Sequence, residues 1–413
     1  MEKYLKPDDI KYQMANLKQL TFEVTDACNL KCKYCTYGEF YNDYEPRQGK
    51  KLSVDTAKKV IDYLADLWNS QYSMADNKHV YISFYGGEPL LNMPFIKSIV
   101  KYIESSAITR RQFTFSMTTN GTLLEHHMDF LVEKDFHLLI SLDGNEYNSS
   151  YRVDKLGANS YSEVIRNIEM LRQKYPRFFE ERVNFNSVLH NRNSIADIYH
   201  FFKEKYNKIP SIGELNNMGI RPDKVDLFWK TYRNSQESLH QAENYELIEK
   251  DMFLHTATYR TLTTFIYNHS GFVYQDYTDL LFDQPKKSLP TGTCVPFSRR
   301  MFITVNGKIL PCERIGQHFF LGTVSDSGVH IDPEAIAQRY NNYFAKLESQ
   351  CSNCYNRSGC IQCIFNLRDI NGSPKCNGFM GRERFLTYKN NQMDFLRNHP
   401  EDYYRIMENV IFE

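Results

Sequence analysis

A chain of 413 residues is long enough for two or three domains, and a composition of 42% hydrophobic and 14% aromatic residues supports a substantial packed core. Lys plus Arg number 50 and Asp plus Glu number 50, so the molecule as a whole offers no electrostatic attraction to nucleic acid or to an anionic membrane, which argues against both as partners. The N-terminal residues, beginning Met1-Glu2-Lys3-Tyr4, carry no apolar signal core, and no apolar run approaches the ~18 residues of a membrane span. A cytoplasmic location is the expectation, and in that reducing compartment ten cysteines point to metal ligation rather than to disulfides.

Short strand-like runs alternate with helical stretches through the first half, the pattern of parallel βα units and an α/β fold. The expected strands are 20–24, 80–85, 113–118, 138–142 and 183–189, each rich in β-branched or aromatic residues, with a weaker sixth around Glu214 to Ile220. Between the first two, Ala57, Val60, Ile61, Leu64 and Leu67 recur at helical spacing behind an N-cap at Ser53, with Asp55 in the first turn. Phe95, Ile96, Ile99, Val100 and Ile103 repeat the stripe after the second strand, and Tyr161, Val164, Ile168 and Leu171 do so after the fourth. Such strands form a barrel or an open sheet, with the chemistry on loops after the strand C-termini.

From about Arg221 to Gly271 the sequence turns helical and polar-aromatic, as a linker or insert would. From Gly292 onward, short strands, turns and dense cysteine mark a separate small domain held by metal rather than by a large core. There Phe302 to Val305 and Lys308 to Leu310 flank Asn306-Gly307, a type I′ hairpin signal that would bring Cys312 beside Cys294.

Directly after the first strand, Cys28, Cys32 and Cys35 stand at x3 and x2 spacing on one loop. Three thiolates can ligate three irons of a 4Fe-4S cubane and leave the fourth iron open. Zinc, with a nearby His or Asp as fourth ligand, is the competing reading. The other seven cysteines are Cys294, Cys312, Cys351, Cys354, Cys360, Cys363 and Cys376, where a zinc ribbon built from the paired CxxC units competes but leaves three thiols unexplained.

The first cysteine spacing, with Tyr34 just before the third cysteine, resembles the signature of the radical SAM superfamily. Gly86-Gly87-Glu88-Pro89 after the second strand resembles that family's GGE motif, and Thr118-Thr119-Asn120-Gly121 and Ser141-Leu142-Asp143-Gly144 match the ends of its third and fourth strands. The unit Cys-x12-Gly-x4-Cys, followed by Cys-x2-Cys-x5-Cys-x2-Cys and Cys376, resembles the SPASM domain of peptide-modifying members, although its fourth gap is x2 where x3 is commonest.

The resemblance implies a partial (β/α)6 TIM-like barrel with a small C-terminal iron-sulfur SPASM domain. The expected segments are an N-terminal extension (1–18), the radical SAM barrel (19–220), a helical linker or insert (221–290), the auxiliary-cluster domain (291–380) and a helical tail (381–413). It further implies three 4Fe-4S clusters and S-adenosyl-L-methionine (SAM) as cofactors. Cys28, Cys32 and Cys35 would hold the first cluster, with Tyr34, Gly86, Gly87, Glu88, Asn120, Ser141 and Arg152 around SAM. By the family's usual partition, Cys351, Cys354, Cys360 and Cys376 hold one auxiliary cluster, and Cys294, Cys312 and Cys363 the other. The implied reaction is reductive cleavage of SAM to a 5′-deoxyadenosyl radical that abstracts a hydrogen from a peptide or protein substrate, giving a thioether or carbon-carbon crosslink. The electron donor would be a flavodoxin or ferredoxin. An anaerobic sulfatase-maturase-like oxidase that forms formylglycine is the alternative, with Glu313 as its general base. Against it, residues 285–293 lack the additional cysteine that family carries there. A non-catalytic metal-binding module is the third reading.

Overall fold

The strand-like runs of the first half become six parallel strands in a computed structural model that describes residues 4–73, 78–108, 110–269 and 289–411. After α1 (Pro7–Ala15) come β1 (Gln19–Thr25), α2 (Val54–Trp68), β2 (Lys78–Gly86), α3 (Met93–Glu104), β3 (Arg111–Thr119) and α4 (Leu124–Glu133). Then follow β4 (His137–Ser141), α5 (Tyr161–Lys174), α6 (Pro176–Arg182), β5 (Val183–Leu189), α7 (Ile195–Tyr206) and β6 (Ser211–Glu214). The six strands pair in chain order, so the loops leaving their C-terminal ends gather along one edge of the sheet.

The helices behave as their periodicity requires. Ser53 caps α2 by accepting the Thr56 N–H at 3.0 Å, and Ala57, Val60, Ile61 and Leu64 are buried. Leu67, however, is only half-buried, because the turn carries Trp68 into the core in its place. The stripe on α3 is buried in full. On α5 the buried face is Val164, Asn167, Ile168 and Leu171, with Tyr161 half-buried at its start.

Two local expectations are corrected. The sixth strand lies at Ser211–Glu214, upstream of the 214–220 run, and beyond it Gly219 has a left-handed φ of 67° and Ile220 bridges Tyr41 instead of extending the strand. The hairpin at Asn306-Gly307 forms between β7 (Met301–Ile303) and β8 (Lys308–Leu310), but only Gly307 of that pair has a positive φ, 73°. Its turn closes from the Gly307 N–H to the Thr304 carbonyl at 2.9 Å, so the two-residue I′ geometry is replaced by a longer loop ending on glycine. β7 pairs in parallel with β1, and β8, β9 (Gly322–Ser325) and β10 (Gly328–Ile331) continue antiparallel beyond it. The result is one ten-stranded sheet in the order β10-β9-β8-β7-β1-β2-β3-β4-β5-β6.

The chain divides into two compact units. One holds the sheet and comprises Asp8–Ile248 and Pro296–Pro333. The other comprises Met1–Pro7, Glu249–Val295 and Glu334–Glu413. Helices α8 (Val225–Thr231), α9 (Ser235–His240), α10 (Tyr245–Met252) and α11 (Ala257–His269) fill the region expected to be helical. Of the 221–290 segment, residues 270–288 lie outside the described residues, as do 1–3 and 412–413 of the terminal segments. In the second unit, α12 (Pro333–Cys351), α13 (Arg382–Asn398) and α14 (Pro400–Ile411) follow, and Phe253, Leu262, Phe265, Ile266 and Ile406 form a core. The N-terminal segment docks on α12 through a reciprocal pair of 2.9 Å hydrogen bonds between the Leu5 backbone and the Asn341 side chain. Among the described residues, no helix is long and apolar enough to cross a membrane.

Candidate active site

Every motif of the first half lies at the C-terminal end of a parallel strand. The cysteine loop leaves β1 and is pinned on two sides by backbone. Lys31 and Lys33 donate to the Val153 and Tyr151 carbonyls at 2.7 and 3.1 Å, so the loop runs alongside the segment after β4. At its base, the Gly87 and Glu88 N–H groups donate to the Thr25 and Ala27 carbonyls at 2.8 and 2.9 Å. The contact is too close for side chains: a Cβ on Gly87 would stand 1.9 Å from the Ala27 carbonyl oxygen, and one on Gly86 (φ 129°) 2.4 Å from that of Thr25. The paired glycines therefore seat the GGE loop against the start of the cysteine loop.

The thiols are met by donors. Cys28 Sγ accepts the Leu30 N–H at 3.4 Å and the Asn120 Nδ2 at 3.8 Å, and Cys35 Sγ accepts Arg47 Nη2 at 3.2 Å. Burial pushes the Cys28 thiol up, and it pushes Cys32 up to about 12 against the pull of the nearby Arg152. Part-buried thiols supplied with N–H donors suit ligation as thiolates, in which a bound cation offsets the burial. Among the described residues, no three His, Cys, Asp or Glu side chains form a group that could hold a metal ion. A cubane asks something different, since each thiolate bonds a different iron. Three cysteines on one loop, two of them accepting N–H groups, fit that demand.

Behind Cys28 lies a buried polar network. The buried Glu88 carboxylate accepts Thr119 Oγ1 at 2.7 Å, the Asn120 N–H at 2.7 Å and the Leu90 N–H at 3.1 Å. Burial raises it to about 7, while those three donors favour the anion. Asn120 donates to Asn29 Oδ1 at 2.8 Å and accepts from Thr122, and Asn29 in turn donates to Thr122 Oγ1 at 2.8 Å. Asn167 on α5 closes the network by donating to the Gly121 and Thr122 carbonyls at 3.0 and 2.7 Å. Glu88 and Asn120 thus brace the cysteine loop.

On the other flank, Asp143 and Arg152 form a buried ion pair of 2.8 Å. Asp143 also accepts the Val188 N–H at 2.9 Å and the Tyr34 hydroxyl, and His190 Nε2 stands 3.7 Å away. The Arg152 guanidinium lies 5.5 Å over the Tyr34 ring, which stacks on His190 at 5.5 Å. Burial alone would raise the Asp143 carboxyl, but the Arg152 charge outweighs it and lowers the group to about 2. Arg152 Nε is buried with no hydrogen-bond partner among the described residues. Ser141 ends β4 half-buried, opposite Asn186 of β5.

In the sequence Asp143 stands out only as part of a strand end, and Asn29, Arg47 and His190 do not stand out. Asn29 could have been found, since it sits inside the cysteine motif. Arg47 lies in an irregular loop and carries no periodic signal.

In the second unit, Cys351, Cys354, Cys360 and Cys376 line one small void, together with Asn356, whose Oδ1 is buried without a hydrogen-bond partner among the described residues. The Met380 N–H donates to Cys354 Sγ at 3.4 Å, and burial raises the Cys376 thiol and takes Cys351 to about 11. Four thiols around one void fit a four-thiolate cluster. Cys363 is near enough to Cys294 for the two to interact electrostatically, and it receives backbone N–H groups from Phe365 and Asn366. Cys312 lies in the sheet unit, where Glu313 is ion-paired with Arg300 at 2.5 Å and its other oxygen is 3.7 Å from Cys312 Sγ.

Residues 22–204 match the family model described as the Radical SAM superfamily. That match spans the segment in which the cysteine loop and the motifs at Gly86–Glu88, Asn120 and Asp143 lie. It is 23% identical over 354 residues to the radical SAM cyclopropyl synthase TigE of Paramaledivibacter caminithermalis, covering 82% of this chain and 65% of the synthase's length. It is 24% identical over 373 residues to a cysteine-type anaerobic sulfatase-maturating enzyme of Clostridium novyi, covering 84% of this chain and 88% of that enzyme. The solved structure of native anSMEcpe with bound AdoMet and Cp18Cys peptide shares the fold, with a TM-score of 0.59, 19% identity and coverage of 95% of this chain and 99% of that one.

Proposed function

We propose that the chain is a SAM-dependent radical enzyme that modifies a peptide or protein, forming a thioether or carbon-carbon crosslink. The observation that carries the reading is the backbone seating of Gly87 and Glu88 on Thr25 and Ala27, which joins a three-thiol loop to the GGE loop at the C-terminal edge of the parallel strands. In this reading Cys28, Cys32 and Cys35 hold the first 4Fe-4S cluster, and Tyr34, Gly86, Gly87, Glu88, Asn120, Ser141 and Arg152 bind or brace the SAM site. Cluster and SAM together supply one-electron chemistry that ends in removal of a hydrogen atom from the substrate. The protein's own work is to orient and shield. The Glu88 and Asn120 network fixes Cys28, and the Asp143–Arg152 pair fixes the opposite side of the loop.

Segment 291–380 is read as the SPASM region. There Cys351, Cys354, Cys360 and Cys376 hold one auxiliary cluster, supported by their shared void. Cys294 and Cys363, which stand near each other in the same unit, belong to the other. A flavodoxin or ferredoxin is the proposed electron donor. The similarity to sulfatase-maturating enzymes, whose name makes a protein the substrate, supports a polypeptide substrate.

A second reading, formylglycine formation, draws on the Glu313 carboxylate beside Cys312 and on similarity along most of the sulfatase-maturating enzyme's length. Mass spectrometry separates the two. The reduced holoprotein, given SAM and a library of cysteine-bearing peptides, is expected to remove two hydrogen atoms from a peptide and leave its sulfur in place. Exchange of sulfur for oxygen would replace the crosslinking reading with the oxidase reading.

A further inference from the structure

Arg47 reaches the cysteine loop from a return of the chain toward β1. The backbone after it is tied to the end of that strand: Gln48 donates to Asp26 Oδ2 at 2.9 Å, Asp26 to the Lys50 carbonyl at 3.1 Å and Leu52 to the Val24 carbonyl at 3.0 Å. The guanidinium is held in turn. It lies 4.5 Å over the Tyr37 ring, whose hydroxyl donates to Glu23 Oε1 at 2.8 Å, and Glu23 Oε2 accepts the Val305 N–H at 2.9 Å. From that seat Nη2 donates to Cys35 Sγ at 3.2 Å. Cys28 receives weaker donors, a backbone N–H and a side-chain amide, both uncharged. Among the described residues, Arg47 is the charged donor hydrogen-bonded to a sulfur of this loop, and Tyr37 and Glu23 fix its direction.

We propose that Arg47 is a positioning residue that sets the reduction potential of the cluster at Cys28, Cys32 and Cys35 by donating a charged hydrogen bond to the Cys35 sulfur. The inference rests on the reading that these cysteines hold a 4Fe-4S cluster. An N–H···S bond and a nearby positive charge both stabilise the more negative, reduced form, so they raise the potential. Arg47 therefore keeps the cluster reducible by its donor. Tyr37 and Glu23 act through Arg47 by holding its plane toward the sulfur.

The test is a redox titration of the reconstituted full chain, followed by electron paramagnetic resonance through the iron-sulfur signal that changes when SAM is added. Arg47→Met is expected to raise the oxidised-to-reduced ratio at a fixed poise about tenfold, which for a one-electron couple is a shift of about 59 mV to more negative potential. Arg47→Lys, which keeps the charge without the planar donor, is expected to fall between Met and wild type. An unchanged potential in Arg47→Met with full iron content would overturn the proposal. If Arg47→Met fails to load iron, wild-type protein labelled with nitrogen-15 in its arginine guanidinium groups decides. A hyperfine coupling to the SAM-responsive cluster supports the proposal, and its absence overturns it. A wild-type protein with no SAM-responsive iron-sulfur signal would instead remove the reading on which the proposal rests.

Discussion

Alanine at Cys28, Cys32 or Cys35 is expected to abolish SAM cleavage while leaving the chain folded. Each thiolate would bond a separate iron, so removing any one leaves a second iron unligated and the cluster labile. The fold has other supports. Asn120 keeps its bonds to Asn29 and Thr122 when Cys28 Sγ is lost, and the loop stays pinned by the Lys31 and Lys33 backbone bonds. Alanine at Cys294 or Cys376 is expected to spare part of the cleavage but to lose the modified peptide, since these residues belong to the proposed auxiliary clusters. Chromatography of 5′-deoxyadenosine, with iron per chain and a circular dichroism spectrum, checks both halves. Full cleavage by Cys32→Ala would sink the mechanism.

The second large effect is on stability. Arg152→Met leaves the Asp143 carboxylate buried without its cation, and breaking a buried pair in this way costs about 3–5 kcal/mol. The pair also fixes a pH dependence. The Asp143 carboxyl is held at about 2, below its ordinary 3.8, because the Arg152 charge overcomes the opposing effect of burial. A depressed carboxyl gives stability that is fully present above 3.8 and is lost as pH falls through about 2. In Arg152→Met burial dominates, the carboxyl rises, and acidification relieves the buried charge. Urea unfolding of the two proteins at pH 7 and at mildly acidic pH should therefore show a gap that narrows as pH falls. A constant gap would mean that Arg152 acts through packing alone.

Much of this site is legible in the sequence because its parts are short and local. Three cysteines on one loop, paired glycines after a strand, and helical stripes behind Ser53 and at Phe95 to Ile103 each depend on neighbours in the chain. The radical SAM match over residues 22–204 agrees with them. What escaped depends on contacts between distant segments. Gly86 and Gly87 mark a turn in the sequence, but their packing need is set by Thr25 and Ala27. Arg47 and Tyr37 meet Cys35 and Glu23 only after the chain has returned to β1. The Asn306-Gly307 dipeptide marked a hairpin correctly but not its loop, because the backbone at Asn306 keeps a negative φ. Trp68 displaced Leu67 from the core through the phase of the last helical turn.

The most direct test of the central claim is anaerobic reconstitution followed by two counts on the same sample: iron with acid-labile sulfide, and 5′-deoxyadenosine formed from SAM after reduction. Three 4Fe-4S clusters require about 12 irons and 12 sulfides per chain, with 5′-deoxyadenosine accumulating. A protein that retains zinc with little iron, and leaves SAM intact when reduced, would contradict the account.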